Sequence, residues 1–511
     1  MVSNRKRNAL LGAISHAGTS VVLQVVSLLA IPIYLDLTSS ELYGLWLTLG
    51  AVLAWIKIGD MGLGLSLTKR AVEALELNDY ALLRSYITGS ICLTLLLGTV
   101  IFIIGFFAAD FFAASLNVRE NYKDDFIHTF HILLVVAWIR PSCAVLSSII
   151  NAKQHIAFLH IKNTIVSLFV IAITLLLLFY KFGISAFAYG LLIEALLTFF
   201  IDYIYLKIVD KNFFIFPFKT KVKDIKKLLE FGVPYQALKI AGLVATNTDN
   251  IIISAYLGAA YVTTYVFTGK LAFLLAVFLV SIAPSVLFPG FSQLFELKEN
   301  EKIQKLYLKL SDLSLRLGAF SAICFYYINE LFVTAWVGAQ NYGGYYLTIG
   351  FVVWILFESF TRGITAVIYA SGNLKGLTLV SFIEAGLNIL FTLLLLTPYG
   401  LLGVVYGTVL SRTISVFYIP IKINNMLGLS HFQYLKKLAK TSWGCIVAML
   451  VSGMVLQDLL SIDINSISKI LIFGCVLLTV NILSYEGIFL YRLKGMSWTN
   501  RMKLLRDSYA N

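Results

Sequence analysis

The chain has 511 residues, of which 59% are hydrophobic and 13% are charged. Soluble globular proteins carry about 25% charged residues, so this composition excludes a water-soluble protein and indicates that the lipid bilayer surrounds most of the chain. The formal net charge of +13 is explained by membrane topology, and it requires no nucleic-acid partner.

Fourteen apolar stretches follow one another along the chain. About 20 apolar residues cross the hydrocarbon core as a helix, and these continuous runs differ from the alternating segments of about 10 residues in a membrane β-barrel. The predicted spans are 9–34, 42–67, 86–109, 127–150, 157–180, 184–206, 229–256, 262–288, 313–336, 345–370, 376–396, 400–421, 441–460 and 467–490. The sequence therefore predicts an all-α polytopic membrane protein.

Lysine and arginine alternate between the two sides of these spans. Cytoplasmic loops are enriched in basic residues. With the N-terminus inside, most of the 40 basic residues fall in inner segments, whereas the outer loops hold only Arg119, Lys123 and Lys181. This pattern predicts an even number of spans with both termini in the cytoplasm.

An internal repeat divides the chain. Residues 174–183 resemble residues 392–400, and each segment leads into a Tyr-Gly pair; upstream, Arg140 matches Arg362. Since three matches occur in the same order, we predict a tandem six-helix duplication whose halves are related by a pseudo-two-fold axis along the membrane normal, with a substrate site between them.

This duplication gives the predicted organisation. Its parts are an N-lobe at 1–206, a basic cytoplasmic linker at 207–224, a C-lobe at 225–425, helices 13 and 14 at 426–491, and a basic cytoplasmic tail at 492–511.

Charged residues inside the spans are the candidate functional residues, because a charge at the membrane centre costs roughly 2.5–3.5 kcal/mol. These charged residues must face charged partners or a water-filled cavity. The charged residues inside the spans are Lys57, Arg140, Lys239, Lys270, Arg362, Arg412, Asp60, Glu194, Asp249, Glu358 and Glu384. Lys57 with Asp60, and Glu358 with Arg362, have the spacing of residues on one helix face, so structural ion pairs are one interpretation of these four.

Three basic residues have no acidic neighbour at helical spacing in their own span. These are Lys239, Lys270 and Arg140. Partners on other helices, including Glu194 and Glu384, are one interpretation. The other is a cationic cavity suited to a pyrophosphate, because basic donors both neutralise and orient phosphate oxygens.

Ion coupling is a further hypothesis. Asp249 lies among hydroxyl and amide side chains that suit Na⁺ binding or proton exchange, and the alternative is a structural hydrogen-bond cluster. Glu384 and Glu358 are further candidates. His16 in the first span has a proton-exchange interpretation and a packing interpretation. No metal-ligand cluster, phosphate loop or catalytic arrangement appears, so we expect no catalytic residue, no metal and no cofactor beyond H⁺ or Na⁺.

Short motifs add a resemblance. They are Pro32 with Tyr43-Gly44, Asp60-Met-Gly62-Leu-Gly64, Phe231-Gly-Val-Pro234, Asp249 to Gly258, Phe288 to Ser292, Ala370-Ser-Gly372 and Tyr399 to Gly403. Their order and spacing resemble those of Wzx-type O-antigen and capsule flippases, in the multidrug/oligosaccharidyl-lipid/polysaccharide exporter (MOP) superfamily. The resemblance implies structural roles for the motif residues Asp60, Pro32, Pro234, Gly372 and Gly403.

The resemblance also implies a fold and a function. The expected fold has two lobes and fourteen helices, and the expected activity moves undecaprenyl-pyrophosphate-linked oligosaccharide from the cytoplasmic to the outer leaflet of a bacterial inner membrane by alternating access. Polymerase and chain-length machinery are the implied protein partners, in surface polysaccharide assembly. In this interpretation Lys239, Lys270, Arg140, Arg362 and Lys57 bind the pyrophosphate and inner sugars.

Other functions are less consistent with the sequence. A multidrug exporter of the same superfamily would favour an acidic central site and twelve helices. A lipid II flippase has arginines in its first helix, whereas span 9–34 contains no Arg or Lys. A membrane glycosyltransferase or polymerase would place its chemistry in a long outer loop, and the longest one here is 110–126. We therefore predict a transporter and not an enzyme.

Overall fold

The computed structural model describes residues 2–56, 62–210 and 220–460, together with residue 479. In these ranges the chain forms long helices joined by short connections. The α-helices are α1 Val2–Leu37, α2 Ser40–Ile56, α3 Leu63–Glu76, α4 Tyr80–Ser115, α5 Glu120–Ala152, α6 Ile156–Phe179, α7 Ser185–Val209, α8 Val222–Leu257, α9 Ala259–Phe273, α10 Val280–Glu296, α11 Asn300–Val337, α12 Tyr345–Ser371, α13 Lys375–Tyr399, α14 Leu401–Leu427 and α15 His431–Leu460.

These helices match the predicted spans closely. Of the helices in the described ranges, ten are long and apolar enough to cross a membrane. The predicted all-α polytopic class is thereby confirmed. All but one residue of the fourteenth span, 467–490, lie outside the described residues, so the count of fourteen and the cytoplasmic termini stay predictions.

The second predicted span, 42–67, is wrong as a single helix. The helix α2 ends at Ile56, residues 57–61 lie outside the described residues, and α3 starts after Gly62. Gly62 has φ 67°, a left-handed conformation that glycine adopts without steric cost. A count of apolar residues does not detect such a break, because glycine lowers hydropathy very little.

Several helices extend beyond their predicted spans because their ends are amphipathic. The helix α11 begins at Asn300, well before residue 313. In these added turns Ile303, Tyr307 and Leu310 are buried, while Glu301 is exposed. Such turns pack against protein on one side only, so a search for uniformly apolar runs misses them.

The contacts divide the chain into two units, Met1–Thr264 and Tyr265–Asn511. The interior of unit 1 includes Leu49, Phe126 and Phe130. In unit 2, the Tyr307 and Tyr434 rings are parallel with centroids 5.2 Å apart, which ties α11 to α15.

The helix α8 packs within unit 1 on α2, α3 and α4. Ser66 donates a hydrogen bond to the Leu228 carbonyl at 2.6 Å, and Ser85 donates to Asp224 at 2.6 Å. The lobe limits drawn from the repeat, which assign α8 to the second lobe, stay a prediction.

The same close helix approach occurs in both units at the repeated Tyr-Gly pair. In unit 1, a Cβ at Gly190 would collide with the Thr174 hydroxyl; in unit 2, a Cβ at Gly407 would lie 2.7 Å from the Thr392 backbone nitrogen. Small residues allow helix backbones to approach closely in membranes. The repeated sequence therefore forms the same type of contact, between α6 and α7 and between α13 and α14.

Candidate functional site

In unit 2, four charged side chains form one network across three helices. Arg362 Nε donates to Glu358 Oε1 at 2.7 Å along α12. Arg412 of α14 donates through Nη1 to Glu384 Oε1 of α13 at 2.7 Å and also pairs with Glu358. Ser415 donates a further hydrogen bond to Glu384. The predicted contact between Glu358 and Arg362 is thus present, but it is one part of a larger network.

Two cations and two anions cancel formally in this network. Glu358 is 5% exposed and Arg412 is 22% exposed, whereas Arg362 is 39% exposed. Both carboxylates are buried, so each relies on guanidinium groups to offset its loss of water. Arg412 is held between Glu358 and Glu384. Arg362 is the more exposed arginine of the network, so a ligand can reach its guanidinium group.

In unit 1, Arg140 of α5 pairs with Glu194 of α7 at 3.2 Å, and the two side chains are 36% and 23% exposed. Glu194 is one of the interhelical partners considered from the sequence. Arg140 is therefore not an isolated cation, and its ion-pair partner among the described residues is itself partly exposed.

A second ion pair in unit 1 was not selected from the sequence. Lys162 of α6 lies 2.9 Å from Asp202 of α7, and the side chains are 3% and 0% exposed. Ser147 of α5 also donates to Asp202. The available signal was one lysine in span 157–180 followed by two carboxylates, Glu194 and Asp202, in span 184–206. Only packing shows that Lys162 meets Asp202.

Lys270 lies near the C-terminal end of α9, within unit 2, and is half-buried. Among the residues that the structure describes, it forms no ion pair. A stretch of π-helix, Leu274–Leu279, follows α9; such segments frequently occur at functional sites. The role of Lys270 in substrate binding stays a prediction.

Asp249 is buried in α8, with 6% exposure. The neighbouring hydroxyls bond to the carbonyls of their own helix: Thr246 donates to Gly242 at 2.9 Å and Thr248 donates to Val244 at 2.6 Å. These two hydroxyl groups thus donate within α8, and the role of Asp249 in ion coupling stays a prediction.

Some predicted site residues cannot be placed. Lys57 and Asp60 lie outside the described residues, as do the side chains of His16, Pro234 and Lys239. Their proposed roles stay predictions.

The structure describes the positions of three motif residues, Pro32, Gly372 and Gly403. Pro32 lies inside α1. Gly372 ends α12 with φ 71°, a conformation that favours glycine. A Cβ at Gly403 would collide with the Leu395 backbone, so this glycine permits the tight turn between α13 and α14.

One polar cluster lies at the connection between α5 and α6. Lys153 pairs with Asp210 at 2.8 Å, and Tyr205 Oη lies 2.8 Å from His155 Nδ1. Burial and the nearby Lys153 charge lower the pKa of His155 below its usual value. His155 is therefore a neutral hydrogen-bonding group at pH 7, and this cluster fixes the ends of α5, α6 and α7.

The sequence profile of the family described as polysaccharide biosynthesis protein matches residues 9–295, more than half of the chain. The chain belongs to this family. The resemblance found from the sequence motifs is thus confirmed. Among curated protein sequences, none is similar to the chain at a significant level.

Solved structures show which fold this family member has. The lipid II flippase MurJ, in an inward closed conformation, is 15% identical, with a TM-score of 0.67 over 95% of this chain and 99% of that chain. An inward-facing multidrug resistance MATE family transporter of the MOP superfamily is 16% identical, with a TM-score of 0.64 over 81% and 95%. A MOP superfamily transporter from Pyrococcus furiosus, described by a reverse polarity of its binding pocket, is 16% identical, with a TM-score of 0.52 over 83% and 97%. The protein is a multi-pass membrane protein with the MOP fold.

Proposed function

We propose that this protein is a flippase that moves an undecaprenyl-pyrophosphate-linked oligosaccharide from the cytoplasmic to the outer leaflet of a bacterial inner membrane. Membership of the polysaccharide biosynthesis family carries this proposal, because such assembly requires a saccharide to cross a membrane. The similarity of fold to a lipid II flippase over 95% of the chain supports it, since lipid II is also a saccharide on a polyprenyl diphosphate.

The chemistry of the charge sites fits a diphosphate. A guanidinium group binds phosphate oxygens through two parallel hydrogen bonds. Arg140 and Arg362 each hold a carboxylate and are partly exposed, so a diphosphate oxygen can take the place of that carboxylate. Lys270 supplies a point charge without an ion pair among the described residues.

Partner exchange has an energetic advantage over an empty cationic site. The arginines are neutralised in the absence of substrate, which avoids an uncompensated charge within the membrane. A substrate anion then competes with Glu194 or Glu358, so binding can be reversed when the substrate leaves the transporter.

Energy coupling and assembly partners complete the proposal. A cation, H⁺ or Na⁺, would act at Asp249 or Glu384, the latter being held by Arg412 and Ser415. The oligosaccharide would pass to polymerase and chain-length machinery outside, as part of O-antigen, capsule or exopolysaccharide assembly. Both termini would lie in the cytoplasm, and the protein would catalyse no covalent step.

The direct test is the leaflet distribution of lipid-linked oligosaccharide in a strain that lacks this protein. An impermeant probe, such as a glycosidase added to sealed spheroplasts, reports the outer leaflet. We expect the oligosaccharide to accumulate on the cytoplasmic side and surface polysaccharide to be lost. An unchanged distribution, together with increased sensitivity to cationic drugs, would replace this proposal with multidrug export.

A further inference from the structure

A cavity of about 290 Å³ lies at one end of unit 1, apart from the charge sites. It is lined by the start of α2, by the connection between α4 and α5, and by the connection between α8 and α9. The α4–α5 connection belongs to the predicted outer loop 110–126, because the outer loops hold few of the basic residues. The distribution of basic residues therefore predicts that this end faces the outside of the cell.

The walls of the cavity are fixed by contacts between these segments. Asn117 Nδ2 donates to the Ala255 carbonyl at 2.5 Å, and Thr263 donates to the Ser40 carbonyl at 2.6 Å. Gly44 leaves room for the Ala259 carbonyl, which would collide with any Cβ at that position. A ligand would therefore find a formed site, which lowers the entropic cost of binding.

Two tyrosine rings border the cavity on the α8–α9 side. Tyr256 is 63% exposed and Tyr261 is 51% exposed, and both line the cavity. A tyrosine ring offers an apolar face and a polar hydroxyl. This combination matches a sugar ring, which has apolar C–H faces and hydroxyl groups at its edge.

The two charged side chains that line the cavity, Glu41 and Arg119, neutralise each other. Arg119 Nη1 lies 2.8 Å from Glu41 Oε2, which leaves Glu41 Oε1 and the other guanidinium N–H groups for hydroxyl groups of a ligand. No excess positive charge lines the cavity, so a phosphate would not be favoured here. Leu45 and Ala259 provide an apolar floor.

We propose that this cavity binds one sugar ring of an uncharged saccharide. Tyr256 and Tyr261 stack on its C–H faces, while Glu41 and Arg119 hydrogen-bond to its hydroxyls. The volume lies near the lower end of about 300–1,000 Å³, the range typical of ligand sites, which suits a single ring rather than a long chain. That this saccharide belongs to the translocated glycan rests on the proposed flippase function.

Saturation-transfer difference NMR on the full chain in lipid nanodiscs tests the site. The probes are D-glucose, D-galactose, N-acetylglucosamine and L-rhamnose at millimolar concentration. We expect at least one sugar to receive saturation, and Tyr256→Ala or Tyr261→Ala to weaken its binding about tenfold. The matched control is Tyr180→Ala, because Tyr180 is also exposed in unit 1 but does not line the cavity.

Other outcomes would overturn the site. These are no saturation of any sugar, equal binding by all three variants and the native protein, and displacement of the bound sugar by inorganic pyrophosphate. Glu41→Gln provides a second variant that keeps the size of the side chain and should also weaken binding. Sugar binding in nanodiscs does not depend on transport, so a normal leaflet distribution in the deletion strain would refute the flippase and leave the saccharide site standing.

Discussion

The two units place arginines at matching repeat positions but surround them differently. Among the residues that the structure describes, Arg140 has one carboxylate partner, and this partner is partly exposed. Arg362 shares its buried partner Glu358 with Arg412, which in turn holds Glu384. The first arrangement can open by the loss of one contact, whereas the second holds three helices together.

The repeat shows which residues create this difference. With Arg140 aligned to Arg362, Glu358 corresponds to Val136; with residues 174–183 aligned to 392–400, Glu384 corresponds to Val166. Both valines are buried. In unit 1 these valines fill the corresponding positions without any desolvation penalty. Apolar side chains can thus occupy these positions in a stable unit, so the two buried carboxylates of unit 2 are not required for stability alone. We infer that each unit offers one exchangeable arginine, Arg140 or Arg362, and that unit 2 adds Arg412 and Glu384 as the fixed part of its network.

Removal of Arg412 should have the largest effect on stability. Arg412→Met leaves Glu384 without its guanidinium partner, and loss of one member of a buried pair costs about 3–5 kcal/mol. The measurement is thermal unfolding in detergent. Arg362→Met is the control and should cost clearly less, because Arg412 still compensates Glu358. Equal losses would contradict the closed network.

The buried pair in unit 1 should respond almost as strongly. Lys162→Met leaves Asp202 uncompensated, and we again expect a loss of about 3–5 kcal/mol. The double variant Lys162→Met with Asp202→Leu should recover most of that stability, because two apolar side chains can replace a buried ion pair. If the double variant is no more stable than Lys162→Met alone, the unpaired charge of Asp202 is not the cause of the lost stability.

The repeated glycines allow close helix packing in both units, but they face different obstacles. Gly407→Ala and Gly190→Ala should each cost about 1–3 kcal/mol through overpacking. The obstacle is the Thr392 backbone in unit 2 and the Thr174 hydroxyl in unit 1. Thr174→Ala should therefore rescue Gly190→Ala, while Thr392→Ala should not rescue Gly407→Ala to the same degree. Equal rescue in thermal unfolding would show that the two contacts are equivalent.

Arg140 should matter least for stability. Arg140→Gln removes an ion pair that is partly exposed, so the loss of stability should be clearly below about 3–5 kcal/mol, the cost of breaking a buried pair. Transport should nevertheless be lost, because the exchangeable guanidinium group is gone. A variant that unfolds early, or that transports normally, would contradict the role given to Arg140. Unfolding temperature and surface polysaccharide, measured for the same variant, separate the two results.

The sequence predicted most helices because apolar length and charge alternation are local properties. The helix α13, Lys375–Tyr399, almost coincides with span 376–396. The break at Gly62 and the amphipathic start of α11 were missed because neither interrupts or extends an apolar run.

Charge pairing was only partly predictable. Glu358 and Arg362 are four residues apart on one helix, so their spacing indicated a contact. The contacts of Arg412 with Glu384, and of Lys162 with Asp202, join different helices. They depend on helix rotation and packing, which one sequence does not reveal.

Reconstitution in liposomes shows whether this protein alone moves the lipid-linked oligosaccharide between leaflets. Proteoliposomes would contain the purified protein and undecaprenyl-pyrophosphate-linked oligosaccharide, with an impermeant glycosidase added outside. The native protein should make inner-leaflet oligosaccharide accessible to the enzyme, and Arg140→Gln should not. Accessibility equal to that of protein-free liposomes, from a native protein shown to be folded, would contradict it.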